Sequence, residues 1–147
     1  MRVAVVLASL LALPALAAPH VMDVWVRALP PTAPTTAAFM TIHNPDNGAN
    51  ALVAASSSVA GRVELHSHEL VDGVARMRQL AQIPLPAGEQ VKLAPGGLHL
   101  MLFNLKQPLA AGQSIDLELQ FADGSRQTLN APIKKAPDAP TDGHHHH

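Results

Sequence analysis

Nine histidines, five methionines and no cysteine set the ligand chemistry open to this chain. In Leu98-His99-Leu100-Met101-Leu102, side chains alternate between the two faces of a strand, so His99 and Met101 point one way and the leucines the other. Taken alone, the pair reads as an edge strand with a half-exposed histidine and a packing methionine. A second segment changes that balance. Asp72-Gly73 is a strong hairpin signal between 62–71 and 74–80. Counting outward from a two-residue loop, Val71 faces Val74, His68 faces Met77 and His66 faces Gln79. His66, His68 and Met77 then share a face, with His66 diagonal to Met77 and in reach of a common ion. One extra loop residue would reverse the parity, and a solvent-facing hairpin with polar histidines is the plain alternative.

Ligand softness chooses among metals. Thioethers suit Cu(I), whereas Zn, Mg and Ca take imidazole, carboxylate or water. Two His and two Met without thiolate therefore point to Cu(I), and the missing cysteine excludes disulfides, thiolate sites, cysteine nucleophiles and a blue-copper centre. Histidine must lose its proton to ligate, so affinity is expected to fall as pH drops through about 6–7. No substrate pocket with an open coordination position can be read from the residues, so a carrier is expected and not an enzyme.

The elements that must position these ligands are strands. Ser114 to Phe121 alternates polar and apolar throughout, Asp123-Gly124 turns the chain, and 126–133 reads as the hairpin partner. Further strands are expected over 22–29, 37–43, 51–55, 62–70, 74–80, 90–93 and 98–105, separated by Pro- and Gly-rich gaps such as Pro84 to Gly88. Many short strands with regular turns imply a single-domain, all-β sandwich or barrel. The 147 residues, 48% hydrophobic against 14% charged, supply a core for one domain. A formal charge of −1 and only 3% aromatic residues argue against a nucleic-acid partner.

Arg2, the apolar run from Val3 to Leu13 and the small residues up to Ala18 describe a secretory signal peptide, too short to span a membrane. The expected organisation is a signal peptide over 1–17, a β-sandwich domain over 18–133 and a flexible tail over 134–147. The tail ends in His144-His145-His146-His147, either a native metal-binding tail or a purification tag.

The spacing His66-x10-Met77-x21-His99-x-Met101 resembles the metal motif of the periplasmic copper chaperones called PCu(A)C. So do Arg62-Val63-Glu64-Leu65-His66, Met77-Arg78, Pro95-Gly96-Gly97-Leu98, Trp25-Val26-Arg27-Ala28 and Thr36-Ala37-Ala38-Phe39-Met40, a likeness spanning Val24 to Phe121. The resemblance implies a cupredoxin-like Greek-key sandwich binding one Cu(I) through His66, Met77, His99 and Met101. It further implies periplasmic delivery of copper to the dinuclear centre of cytochrome c oxidase subunit II, alongside Sco-type proteins. His68 falls outside the motif and is expected either to support the ligands or to serve as a spare one. The four tail histidines are secondary ligands suited to Cu(II), a feature such proteins can carry as His/Met-rich extensions. A monomer or a weak copper-dependent dimer is expected.

Other residues attract plainer readings. His20 would stand third in the mature chain, but Pro19 has no amide to give a main-chain copper site. Met22 and Met40 are expected to pack, His43 to lie in a loop and Trp25 to anchor the core. Rival functions remain: a metal-independent interaction module, a copper enzyme or electron carrier, and a periplasmic copper store serving tolerance.

Overall fold

The computed structural model describes residue 11 and residues 17–137. The expected leader, Leu11 and Ala17 apart, and the four tail histidines lie outside the described residues. Ten strands form: β1 His20–Arg27, β2 Thr35–His43, β3 Asn50–Ser56, β4 Ala60–Val71, β5 Val74–Leu80, β6 Ile83–Leu85, β7 Gln90–Leu93, β8 His99–Leu105, β9 Ser114–Phe121 and β10 Arg126–Lys134. There is no helix among the described residues.

Hydrogen bonds join the strands in the order β5-β4-β8-β2-β1-β10-β9-β3-β6. The step from β1 to β10 is parallel and short, pairing Val26 with Ile133 and Arg27 with Lys134. On the far side of β2, β8 pairs Thr35 to Ala38 and β7 takes over from Met40 to His43. Both halves of this sheet feed one core. Val26, Ile42, Leu65, Leu100 and Leu102 come from one half; Leu52, Leu117, Leu119 and Ile133 come from the other. The chain is thus the all-β sandwich that its alternation implies.

That core dictates which way every other side chain points. In β9, Ile115, Leu117, Leu119 and Phe121 are buried and the residues between them are not, as strict alternation requires. In β8, Leu100 and Leu102 have no exposed surface, so His99, Met101 and Phe103 stand on the opposite face. The same parity in β2 sends Ala38, Met40 and Ile42 into the core and puts Ala37, Phe39, Thr41 and His43 on the opposite face, where Ala37 and Phe39 are themselves covered.

Three features differ from expectation. Pro84 lies inside strand β6 instead of a turn, and β6 ends the strand order, where a residue without an N–H is tolerated. His43 is the last residue of β2, paired with His20, as the expected strand over 37–43 has it and against the separate reading of His43 as a loop residue. A bulge in β1 places Met22 opposite Thr41 and Trp25 opposite Phe39, with Asp23 at a φ of 53° absorbing the extra residue. The bulge turns Trp25 and Arg27 onto the outer face, so Trp25 stacks on Phe39 at 4.7 Å and is no core anchor. Of the two methionines expected as core or fringe packing, Met40 is core and Met22 lies at the fringe, 37% exposed.

Leu100→Ala should lower the unfolding free energy in urea by roughly 2–5 kcal/mol, since it opens a cavity in the shared core. Leu70→Ala, at a side chain that is 75% exposed, should stay within about 0.5 kcal/mol of the parent.

Candidate metal centre

The hairpin β4–β5 has the register that a two-residue loop demands. Val71 pairs with Val74, His68 with Met77 and His66 with Gln79. Asp72 and Gly73 have φ of 52° and 76°, positive at both central positions as a primed turn requires. The other edge of β4 lies along β8, with His66 opposite His99, Glu64 opposite Met101 and Arg62 opposite Phe103. One outer face thereby carries His66, His68, Met77, His99 and Met101.

His68, Met77, His99 and Met101 line one cavity of about 210 Å³, together with Arg27, Phe39 and the Pro95-Gly96 turn. His66 stands beside this lining, its ring 5.8 Å from that of His99 and 6.0 Å from Phe103. Exposure grades across the group. His99 is 4% exposed, Met101 is half-buried, and Met77 is 57% exposed on the hairpin.

Hydrogen bonding decides which imidazole nitrogens are free. The Gly97 carbonyl lies 3.0 Å from His99 Nδ1 and can only accept, so Nδ1 carries the proton and Nε2 keeps its lone pair. His66 Nε2 donates to Glu64 Oε2 at 2.8 Å, which leaves the lone pair on Nδ1. Both remaining atoms, His66 Nδ1 and His99 Nε2, are buried without a hydrogen-bond partner. A buried polar atom left unpaired costs stability, and two such atoms on adjacent rings match the need of a cation. Among the described residues no three His, Cys, Asp or Glu side chains gather to hold a metal alone. The other metal-binding side chains near these rings are the Met77 and Met101 thioethers and His68, which line the same cavity.

Glu64 and Arg62 complete the support. Arg62 Nε donates to Glu64 Oε1 at 2.8 Å, and its guanidinium covers the Phe103 ring at 4.2 Å. The bond from His66 and the Arg62 charge hold the Glu64 carboxyl below its ordinary range. An ionised Glu64 orients His66 as carboxylates orient metal-bound histidines. The sequence held the signal for this: Arg62, Glu64 and His66 are spaced by two, hence on one face. The Gly97 carbonyl had no such signal, because it depends on the turn at Gly96, where φ is 83°.

The LpqE-like family, described as "Putative lipoprotein LpqE-like", matches residues 20–133. The chain belongs to this family. A relative from Leifsonia xyli subsp. xyli, "Putative lipoprotein Lxx21020", is 39% identical over 116 residues, 78% of this chain and 69% of the relative. Among solved structures, the copper-bound PCuAC domain from PmoF2 shares the fold with a TM-score of 0.70 at 20% identity, covering 83% of this chain and 97% of that domain. The solution structure of CuI-DR1885 from Deinococcus radiodurans is 32% identical with a TM-score of 0.62, covering 87% of this chain and 83% of that one. The PCu(A)C resemblance read from the motif is thereby borne out, and this LpqE-like chain carries its ligand-type residues on the outer sheet face.

Burial holds the His99 pKa below its usual 6.5, aided by the nearby His66, His68 and Arg27 and opposed by the Gly97 bond. Its unfolded form therefore takes up a proton more readily than the folded form. The stability it contributes is present above about pH 6.5 and is lost as pH falls through the depressed folded value. Melting temperatures of the metal-free protein, with chelator, should decline below that pH, and His99→Gln should flatten the decline.

Proposed function

We propose that this protein is a copper carrier that holds one Cu(I) through His66, Met77, His99 and Met101 and passes it on by ligand exchange. The pair of buried, unpartnered imidazole nitrogens beside two methionines carries the reading. The ligands are neutral when His is deprotonated, so the bound ion keeps its single charge. Thioethers on two sides favour Cu(I) over harder ions. The copper-bound state of two structural relatives supports the same cargo.

The exposure gradient suggests a transfer route. His99, buried and tied to the Gly97 carbonyl, is the fixed ligand; Met77, on the exposed hairpin, is the one a recipient displaces first. Ligand-by-ligand exchange then lets copper move without passing through water. His68, opposite Met77 and lining the same cavity, is positioned to hold the ion while Met77 is exchanged.

The wider setting completes the proposal. Residues 1–17 direct export, the mature protein works in the periplasm, and the recipient is the dinuclear copper centre of cytochrome c oxidase subunit II, reached with Sco-type partners. The lipoprotein description of the family and of the Leifsonia relative agrees with an envelope location. The histidines at 144–147 form a separate Cu(II) site, and the inner site is loaded with copper that is already Cu(I). No catalytic turnover is assigned.

Anaerobic Cu(I) titration against a chromogenic chelator tests the centre. One tight equivalent should survive removal of residues 144–147 and be lost in Met77→Leu/Met101→Leu. Glu64→Gln should weaken it by about 10–100-fold by releasing His66. Binding that vanishes with the tail alone would overturn the proposal.

A further inference from the structure

A second group of soft ligands lies on the same outer face, away from the centre above. His20 pairs with His43 across β1 and β2, and Met22 pairs with Thr41 two residues along. The pleat puts His20 and Met22 on one side of β1, so Met22 is diagonal to His43 and within reach of an ion held by both rings. The His20 and His43 rings are 6.0 Å apart at an interplanar angle of 62°. Imidazole nitrogens about 2 Å from a first-row ion set two ring centres roughly 5–6.5 Å apart, and the observed separation falls in that window. His20 and Met22 are exposed and His43 is half-buried, so the face is open to solvent.

The two groups do not share an ion. Phe39 and His43 stand four residues apart on β2, roughly 13 Å of strand. The Phe39 ring lies 6.4 Å from His99, between the two groups. The bulge at Asp23 contributes as well: it lets β1 carry Trp25 and Arg27 on this face without turning His20 and Met22 away from it.

We propose that His20, Met22 and His43 form a second, solvent-facing Cu(I) site. The thioether selects the monovalent soft ion. Lys92, opposite Thr41, and Asp23, next to Met22, line the same depression with opposite charges, so the thioether and not the local charge carries the choice of ion. Gln90, opposite His43, supplies a neutral amide oxygen and no competing charge. Because the ligands lie on an open strand pair, binding there is weaker and faster to exchange than at the cavity.

The proposal stands on residues separate from the cavity, and its test separates the two. The full chain is titrated anaerobically with Cu(I) to two equivalents while methionine methyl and histidine ring resonances are followed by NMR. The expected result is that the first equivalent moves Met77 and Met101 and the second moves Met22, His20 and His43. His43→Asn and, independently, His20→Asn should abolish the Met22 response while Met77 and Met101 still respond. A Met22 methyl that stays unmoved, or that moves equally in both variants, overturns the second site. Movement of Met22, His20 and His43 with Met77 and Met101 silent would support the second site and overturn the cavity as the copper centre.

Discussion

Burial of the leucines on β8 is the constraint from which the rest follows. Leu100 and Leu102 have no exposed surface, and a strand offers only two faces. His99 and Met101 must therefore share the opposite face. Pairing of Leu65 with Leu100 does the same for β4, bringing His66 directly beside His99. The Asp72-Gly73 turn carries the register one strand further and seats Met77 opposite His68. A slip of one residue at any of these steps would scatter the ligands between core and solvent.

With position settled, two anchors of different kinds settle protonation. A main-chain carbonyl fixes His99 and a carboxylate fixes His66, so the free lone pairs sit on different nitrogens of the two rings. Burial keeps His99 uncharged and ready to ligate, while Glu64 stays ionised under the influence of His66 and Arg62. The apo protein thus holds two unpaired buried acceptors, a cost that a bound cation relieves. The thioether of Met77 is exposed at the rim of the same cavity, and in the proposed copper site it is the replaceable member.

Much of this was legible from residue order. The period-two pattern of β8 and β9, the primed-turn dipeptide and the His/Met spacing each depend on local rules, and they gave the fold class, the hairpin register and the face of every ligand. Features set by tertiary context were not legible. Pro84 reads as a turn until β6 is known to be an edge strand. The alternation over 37–43 carries the strand through His43 while the following Asn44-Pro45 argues for a loop, and pairing with His20 and Gln90 decides for the strand. Trp25 reads as core by size, and only the bulge at Asp23 moves it to the outer face against Phe39.

The most direct test of the central claim is an X-ray absorption spectrum of the protein loaded anaerobically with one equivalent of Cu(I). A first shell containing both imidazole nitrogen and thioether sulfur is predicted, with the sulfur contribution lost in Met77→Leu/Met101→Leu. A shell of nitrogen and oxygen alone, unchanged by that double substitution, would contradict a His/Met copper centre on this sheet face.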